Sequence, residues 1–300
     1  MSALIFIDTN IYLDFYRVRG TDARLSILER FDQNHDRIIT TTEVEMEYKK
    51  NRQKVIVDCL IDIKSQSQNS LVIPAFLRET RRDETIRRTQ QKLSEQTQKL
   101  RERTAKLLES PGLNDPVYRT LQRLFKAGGG CHLNRNDKIR FDIRKLAEKR
   151  FMLGYPPRKP SDTSMIDAIN WEWIIHCAQN CSDNIIIVSR DSDYGIHNDG
   201  ISIINDWLLQ EFKERVSHRR SLSLTVRLTE AFKQASITVS KEEEESEDSL
   251  LKNRDIRSEL SRFPAFDPTW PDDVKHKWFD KFDEILKKFT PPDTKNTFEH

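Results

Sequence analysis

The stretch that decides the fold is Leu4-Ile5-Phe6-Ile7-Asp8-Thr9-Asn10, close to the start of the 300-residue chain. Its four apolar residues predict a short strand buried on both faces, as in parallel sheets. Asp8 follows at the carboxyl end of that strand, where open α/β sheets bind their ligands. A buried carboxylate needs a partner, and a metal ion is one such partner. Because Asp is also a favoured helix cap, this stretch alone leaves both interpretations open.

The composition describes a chain with a large solvated surface. Hydrophobic residues make up 36% and charged residues 33%, and the formal charge is +2 at pH 7. That net charge is too small to indicate nucleic-acid binding, so any such prediction has to rest on local clusters of basic residues. Four cysteines are too few and too irregularly spaced for a disulfide scaffold. No segment approaches the roughly 20 apolar residues of a membrane span. We therefore expect a cytoplasmic protein that does not contact membranes.

Strand and helix patterns alternate along the chain, with one long interruption. A second strongly apolar strand, Ile185-Ile186-Ile187-Val188, is again followed by acids. The alternation predicts an α/β fold with a parallel sheet. We expect a core from residues 1–75 and 156–240 and a helical insertion at 76–155. Residues 241–300 are expected to be an acidic linker with an aromatic-rich C-terminal extension, and the acidic run could also be the start of a helix.

The insertion has the pattern of a long helix. Residues 76–109 contain neither Pro nor Gly, and Ile86, Leu93, Leu100 and Leu107 recur every seven residues. This one-sided seam predicts one arm of a helical hairpin. A return helix is predicted at 114–126, followed by a hinge at Gly128-Gly129-Gly130. A phosphate nest is the alternative for the glycines, but the Lys-Ser/Thr of a P-loop is absent.

Four acids from distant parts of the sequence are expected to converge. Asp8 and Asp191 follow the two apolar strands, Glu47 lies early in the helix after a strand near 38–42, and Asp167 opens a helix. Parallel strands end at the same edge of a sheet, so these carboxylates share one crevice. Oxygen ligands of this kind suit Mg²⁺ or Mn²⁺.

Four motifs, in this order, resemble the PIN-like domain nuclease family. They are Asp8-Thr9-Asn10, the segment Val44–Glu47, Asp167-Ala168-Ile169, and the segment Ser189–Tyr194. Each motif is weak alone, and their common order and strand context make the resemblance specific. It covers roughly residues 1–60 and 160–210, while the insertion and the tail have no counterpart in the minimal fold.

The resemblance implies a three-layer α/β/α fold with a central parallel sheet and metal-dependent hydrolysis of phosphodiester bonds. Expected products carry a 5′-phosphate and a 3′-hydroxyl, with one or two Mg²⁺ or Mn²⁺ ions as cofactors. The implied catalytic ligands are Asp8, Glu47, Asp167 and Asp191. Asp193 is assigned to a second metal or an outer position, and Asn10 and Ser189 to orienting the carboxylates. Glu43 or Glu45 could replace Glu47, and Glu43 shares its helix face.

A basic stretch lies within the predicted arm. Residues 78–106 hold ten Lys/Arg against five Asp/Glu, including Arg81, Arg82, Arg87 and Arg88. One interpretation is a clamp that follows the phosphates of a nucleic acid, RNA more than DNA. The other is a helix whose charges only keep it solvated. The insertion or the tail is also expected to contact a protein partner or regulator.

Competing functions differ at identifiable positions. A phosphatase of the haloacid-dehalogenase type needs a second Asp two residues after the first, and Asn10 stands there. An inactive nucleic-acid-binding scaffold would not need all four acids. A DNA-cleaving effector of bacterial defence would use the same site on another polymer.

Overall fold

A computed structural model of the chain describes residues 2–17, 23–67, 81–158, 164–198 and 200–289. The chain divides into two compact units, residues 1–243 and residues 244–300. The first contains the sheets, and the second is built from helices.

Five parallel strands form the central sheet, in the order β3-β2-β1-β4-β7. Their bounds are β1 (Ala3–Ile7), β2 (Ile38–Thr41), β3 (His132–Leu133), β4 (Asn184–Val188) and β7 (Leu222–Thr225). A separate antiparallel ribbon pairs β5 (Gly195–Asn198) with β6 (Ile201–Ile204).

Helices flank this sheet and fill the connections. In the first unit they are α1 (Thr9–Leu13), α2 (Ala23–Gln33), α3 (Thr42–Ser67), α4 (Arg81–Glu109), α5 (Pro111–Asn114), α6 (Pro116–Lys126), α7 (Ile139–Leu153), α8 (Ile166–Gln179), α9 (Asp206–Arg215) and α10 (Leu228–Gln234). α11 (Lys241–Arg262) begins at the end of the first unit, and α12 (Asp272–Phe289) lies in the second. Among the described helices, none combines the length and apolar character that crossing a membrane requires.

The centre of the fold is β1. All five of its residues are buried, because strands pair with it on both sides and helices cover both faces. Its register with β4 places Ile7 opposite Val188, so both strands end at the same level. The predicted α/β fold with a central parallel sheet is confirmed.

The sequence predicts a helical insertion over residues 76–155, but the structure contains a strand within this range. His132 and Leu133 form β3, which extends the sheet beyond β2. The Thr40 amide donates to the Cys131 carbonyl at 3.0 Å, and the Thr40 hydroxyl lies 2.7 Å from His132 Nδ1. A two-residue edge strand is too short to produce an alternating pattern, which explains why it was missed.

The long helix α4 does not use the predicted leucine seam for packing. It packs against α3, whereas α6 packs against α2 and not as the return arm of a hairpin. Leu93 and Leu100 are 55% and 50% exposed, while Thr97 is buried. The packed face therefore includes the polar Thr97, whereas the two central leucines of the repeat face solvent and its ends, Ile86 and Leu107, are half-buried.

A buried ion pair attaches this region to the core. Arg52 of α3 contacts Asp115 at 2.5 Å and donates to the Leu107 carbonyl at 2.9 Å. Asp115 also caps α6 and accepts from the Tyr16 hydroxyl at 2.7 Å. Because both charges are almost fully buried, this junction is fixed and not a loose attachment.

The acidic run after residue 240 begins the helix α11, which is one of the two interpretations that the sequence left open. The Ser240 amide donates to the Glu243 carboxylate at 2.8 Å, and the Glu243 amide donates to the Ser240 hydroxyl at 3.2 Å. This reciprocal pair is a capping box. In the second unit, Trp278 packs against Phe263 and Phe282, each with a ring-centre distance of 5.0 Å.

Candidate active site

Two strand ends form the floor of the candidate site. The Asp8 amide donates to the Val188 carbonyl at 2.9 Å, and the Ser189 amide donates to the Thr225 carbonyl at 3.1 Å. The parallel ladder is thus continued one residue past β1 and β4. This places Asp8 and Ser189 side by side at the carboxyl edge of the sheet.

Asp8 is 8% exposed and is held by three neutral donors. The Thr9 amide contacts Oδ1 at 2.7 Å, while Asn10 Nδ2 and the Ser189 hydroxyl contact Oδ2 at 2.9 and 2.6 Å. Asp8 therefore caps α1, as one interpretation held, and is fixed in orientation by Asn10 and Ser189. The cap uses Oδ1, so the two roles do not exclude each other.

The electrostatics of Asp8 tie it to two other acids. The pKa of Asp8 is raised to about 7, chiefly by burial and against the opposing hydrogen bond from Ser189. The negative charges of Asp191 and Glu47 contribute to this rise. Three of the predicted carboxylates therefore act on each other across the strand ends, and their mutual repulsion favours a cation among them.

Glu47 is oriented towards Asp8 by a residue that the sequence did not suggest. The Thr9 hydroxyl donates to Glu47 Oε2 at 2.8 Å, which links the first turn of α1 to α3. The start of α3 is set by Thr41, whose hydroxyl accepts from the Val44 amide at 3.1 Å.

The two alternative glutamates have basic neighbours. Glu43 Oε1 accepts from Arg144 Nη2 at 2.9 Å, and Glu45 lies 2.6 Å from Lys49. Of the three glutamates, Glu47 is the one that contacts the Asp8–Thr9 turn. The assignment of the ligand to Glu47 stays a prediction with this geometry behind it.

Asp167 opens α8, as predicted, and faces Glu47 across a small cavity. The cavity has a volume of about 210 Å³ and is also lined by Lys50 and Asn51. Its polar walls lie between α3 and α8.

Tyr194 is a second residue that the sequence reasoning did not assign to the site. Its side chain is fully buried and its hydroxyl has no hydrogen-bond partner within the described chain. Burial raises its pKa well above the usual value, and the charges of Asp167, Asp8, Asp193 and Glu47 raise it further. Tyr194 therefore lies among the acids that were predicted to converge, and only its place in the motif signalled this.

The loop after β4 is anchored by its own arginine. Arg190 pairs with the buried Asp14 and donates through Nε to the Val226 carbonyl at 3.2 Å. The Asp191 amide then donates to the Ser189 hydroxyl at 3.1 Å. Gly195 ends the motif because a Cβ there would lie 2.0 Å from the Ile203 carbonyl oxygen. The position of Asp191 is therefore fixed from both sides.

The donor chemistry of this edge suits a hard divalent cation. All the converging side chains offer oxygen atoms, which Mg²⁺ and Mn²⁺ prefer. As they stand, no three acidic, His or Cys side chains in the described ranges form a group that could hold a metal ion. Because like charges repel each other, these carboxylates would have to move closer together to share one ion.

The predicted arginine clamp is only partly visible. Arg87 and Arg88 are exposed on α4, and Arg88 lies 3.9 Å from Glu84. The side chains of Arg81 and Arg82 lie outside the described residues.

All four predicted acids lie in the part of the sequence that a family comparison matches. A family model of the PIN domain matches residues 5–194, which is more than half of the chain. The chain belongs to the PIN domain family. No curated protein and no solved structure matches it.

The match runs from β1 to Tyr194 and so includes all four predicted acids and the whole of the region 76–155. PIN domains are generally nucleases, bind nucleic acids and typically use divalent metals. This PIN domain is therefore of the nuclease type at the level of the fold.

Proposed function

We propose that this PIN domain is a metal-dependent endonuclease that hydrolyses phosphodiester bonds, in RNA more than in DNA. Asp8, Glu47, Asp167 and Asp191 are the proposed ligands of Mg²⁺ or Mn²⁺, with Asp193 beside them. The products are a 5′-phosphate and a 3′-hydroxyl end.

One observation supports the proposal most directly. Asp8 is buried at the end of the central strand, its hydrogen-bond donors are neutral, and Asp191 and Glu47 raise its pKa. A fold gains no stability from three acids that repel each other. The arrangement is explained if a cation from solution binds there.

The chain's own residues supply the positioning. Asn10 and Ser189 hold Asp8 Oδ2, Thr9 holds Glu47, and the Asp14–Arg190 pair holds the loop that carries Asp191. A bound divalent ion supplies Lewis acidity, which activates water and stabilises the leaving oxygen. Positioning of this kind is expected to change activity by about 10- to 100-fold when one support is removed.

The test incubates the purified protein with end-labelled single- and double-stranded RNA and DNA, with Mn²⁺, Mg²⁺ or EDTA. We expect cleavage with a metal, faster for RNA, and none in EDTA or in Asp8→Asn and Asp191→Asn. Asp206→Asn, an acid at the start of α9, is the matched control and should cleave normally. Cleavage that survives EDTA or either site variant would overturn the metal mechanism. Binding without any cleavage would favour the inactive scaffold.

A further inference from the structure

A larger cavity adjoins the acids. It has a volume of about 420 Å³, within the range of about 300–1,000 Å³ typical of ligand pockets. Its lining residues are Thr42, Glu43, Met46, Arg135, Arg140, Arg144, Met165, Ile166 and Ile169. Met46 and Ile166 also line the small cavity that contains Glu47 and Asp167, so the two cavities are direct neighbours.

The walls of this cavity differ in chemistry. One side is apolar, from Met46 of α3 and from the segment that leads into α8. The polar lining consists of Thr42, of Glu43, which pairs with Arg144, and of three arginines from the segment between β3 and α7 and from α7 itself, so that the arginines outnumber the acid. An apolar wall facing cations is the combination that holds a ring system and an anion together.

The arginines are partly fixed but have donors to spare. Arg140 Nη1 donates to the Arg135 carbonyl at 2.8 Å, and Arg144 Nη2 donates to Glu43 at 2.9 Å. The Nε atoms of Arg140 and Arg144 are buried and have no hydrogen-bond partner within the described chain. Those Nε atoms are closed to solvent, so a ligand in the cavity would contact the outer guanidinium edges of Arg135, which is exposed, and of Arg140 and Arg144, which are half-buried.

We propose that this cavity binds one unpaired nucleotide of the substrate strand, next to the phosphate that is cleaved. This rests on the proposed nuclease function. The base lies against Met46, Ile166 and Ile169, and a flanking phosphate accepts from the arginines, whose planar forks match phosphate oxygens. A base within a duplex has both faces covered by stacking, so the cavity selects single-stranded or unpaired substrate.

The first experiment measures binding without cleavage. Fluorescence anisotropy in EDTA compares a labelled 12-nucleotide single-stranded RNA with the same strand in a duplex. We expect the wild-type protein to prefer the single strand. In Arg135→Ala combined with Arg140→Ala, single-strand affinity should fall at least about 10-fold. The salt slope should fall by about 0.7 for each phosphate that the variant no longer binds.

Two further variants test the apolar lining separately from the arginines and control for the loss of a positive charge. Met46→Ala changes the apolar wall, so it should weaken single-strand binding and leave the salt slope unchanged. Arg119→Ala removes an exposed arginine of α6 that does not line the cavity, and should bind like the wild type. Met46 is 46% exposed, so its variant is expected to fold even if the arginine variant does not.

The outcomes distinguish this proposal from the proposed function. Wild-type protein that neither binds nor cleaves any nucleic acid with metal present would contradict the nuclease function. Wild-type cleavage together with unchanged single-strand affinity in the arginine and Met46 variants would overturn the nucleotide cavity alone. In cleavage assays we expect a raised KM with kcat largely kept, because the cavity binds a part of the substrate that does not react.

Discussion

The same helix, α8, contributes to two groups of acids, each with a buried member, that differ in the charges around that member. Near its start, Asp167 lies in the cluster with Asp8, Glu47 and Asp191. One turn further on, Glu172 is as buried as Asp8, but it receives Arg150 Nε at 2.8 Å and Arg215 Nη2 at 2.7 Å. Glu211 shares both arginines.

The comparison separates a structural use of buried acid from a functional one. The Glu172 group contains two acids and two arginines, so its charges cancel within the fold. The acids at the strand ends repel each other, and Asp8 is held by neutral donors. Burial alone is thus no sign of a site, whereas a buried acid whose charged neighbours carry the same sign is one.

The largest effect on stability is expected from breaking the Glu172 group, called the neutral group below because its two acids and two arginines balance in charge. Arg150→Met leaves Glu172 and Glu211 with only Arg215, and should lower the free energy of unfolding by about 3–5 kcal/mol. Arg123→Met is the control, because Arg123 pairs with Asp32 on the surface. It should cost less than about 1 kcal/mol. Urea unfolding followed by circular dichroism measures both, and equal costs would contradict the distinction.

Removal of one charge from the acid cluster should not lower stability, in contrast to removal of Arg150 from the neutral group. In EDTA at pH 7.5, Asp8→Asn removes one of the repelling charges and should not destabilise the protein. Mn²⁺ should raise the thermal midpoint of the wild type. At an Mn²⁺ concentration of 100 times the dissociation constant, the added free energy of unfolding is about 2.7 kcal/mol. Asp8→Asn should show no such rise. Equal stabilisation of both proteins by Mn²⁺ would place the ion elsewhere.

A pH dependence should mark the neutral group. Burial alone would raise the pKa of Glu211, but hydrogen bonds from Arg150 and Arg215 outweigh it and hold the pKa below its usual value. The stabilisation is therefore present above the unfolded-state pKa and is lost as the pH falls through the folded-state pKa. Glu211→Gln should cost about 1.5 kcal/mol at pH 7 and clearly less near pH 4. A cost that stays constant from pH 7 to 4 would contradict this assignment.

The smallest effect concerns arginines that belong to neither group. Reversing the charge of Arg87 and Arg88, both exposed on α4, should leave stability within about 0.5 kcal/mol. If α4 follows substrate phosphates, RNA affinity and the salt slope of binding should both fall. Lys213→Glu on α9 is the exposed control. Unchanged affinity and slope would leave α4 as a solvated helix.

The sequence predicts those parts whose signal is local. β1 and β4 were predicted because four consecutive apolar residues and a following acid need no distant information. β7 was missed because only two of its four residues are apolar and it pairs with β4 from far along the chain. The predicted packing face of α4 was wrong in its centre, because Thr97 is buried there while Leu93 and Leu100 are exposed.

The candidate site shows the same division. The hydrogen bonds from Asn10 and Ser189 to Asp8 follow from strand order. The contact of Thr9 with Glu47 and the burial of Tyr194 depend on how α1, α3 and the β4–β5 loop pack, which no short motif encodes. The capping box of Ser240 and Glu243 decides between the linker and the helix start, which the acidic run alone left open.

The register of β1 with β4 has a consequence for synthesis in the cell. Asp8 leaves the ribosome about 180 residues before Ser189, the side chain that completes its setting. Until then the first strand lacks one of its two neighbours, and the acids are spread along an unfinished chain. A nascent polypeptide, or one truncated before residue 184, therefore cannot bring the acids of the two strand ends together. The order of the strands delays assembly of the candidate site until translation of the core is nearly complete.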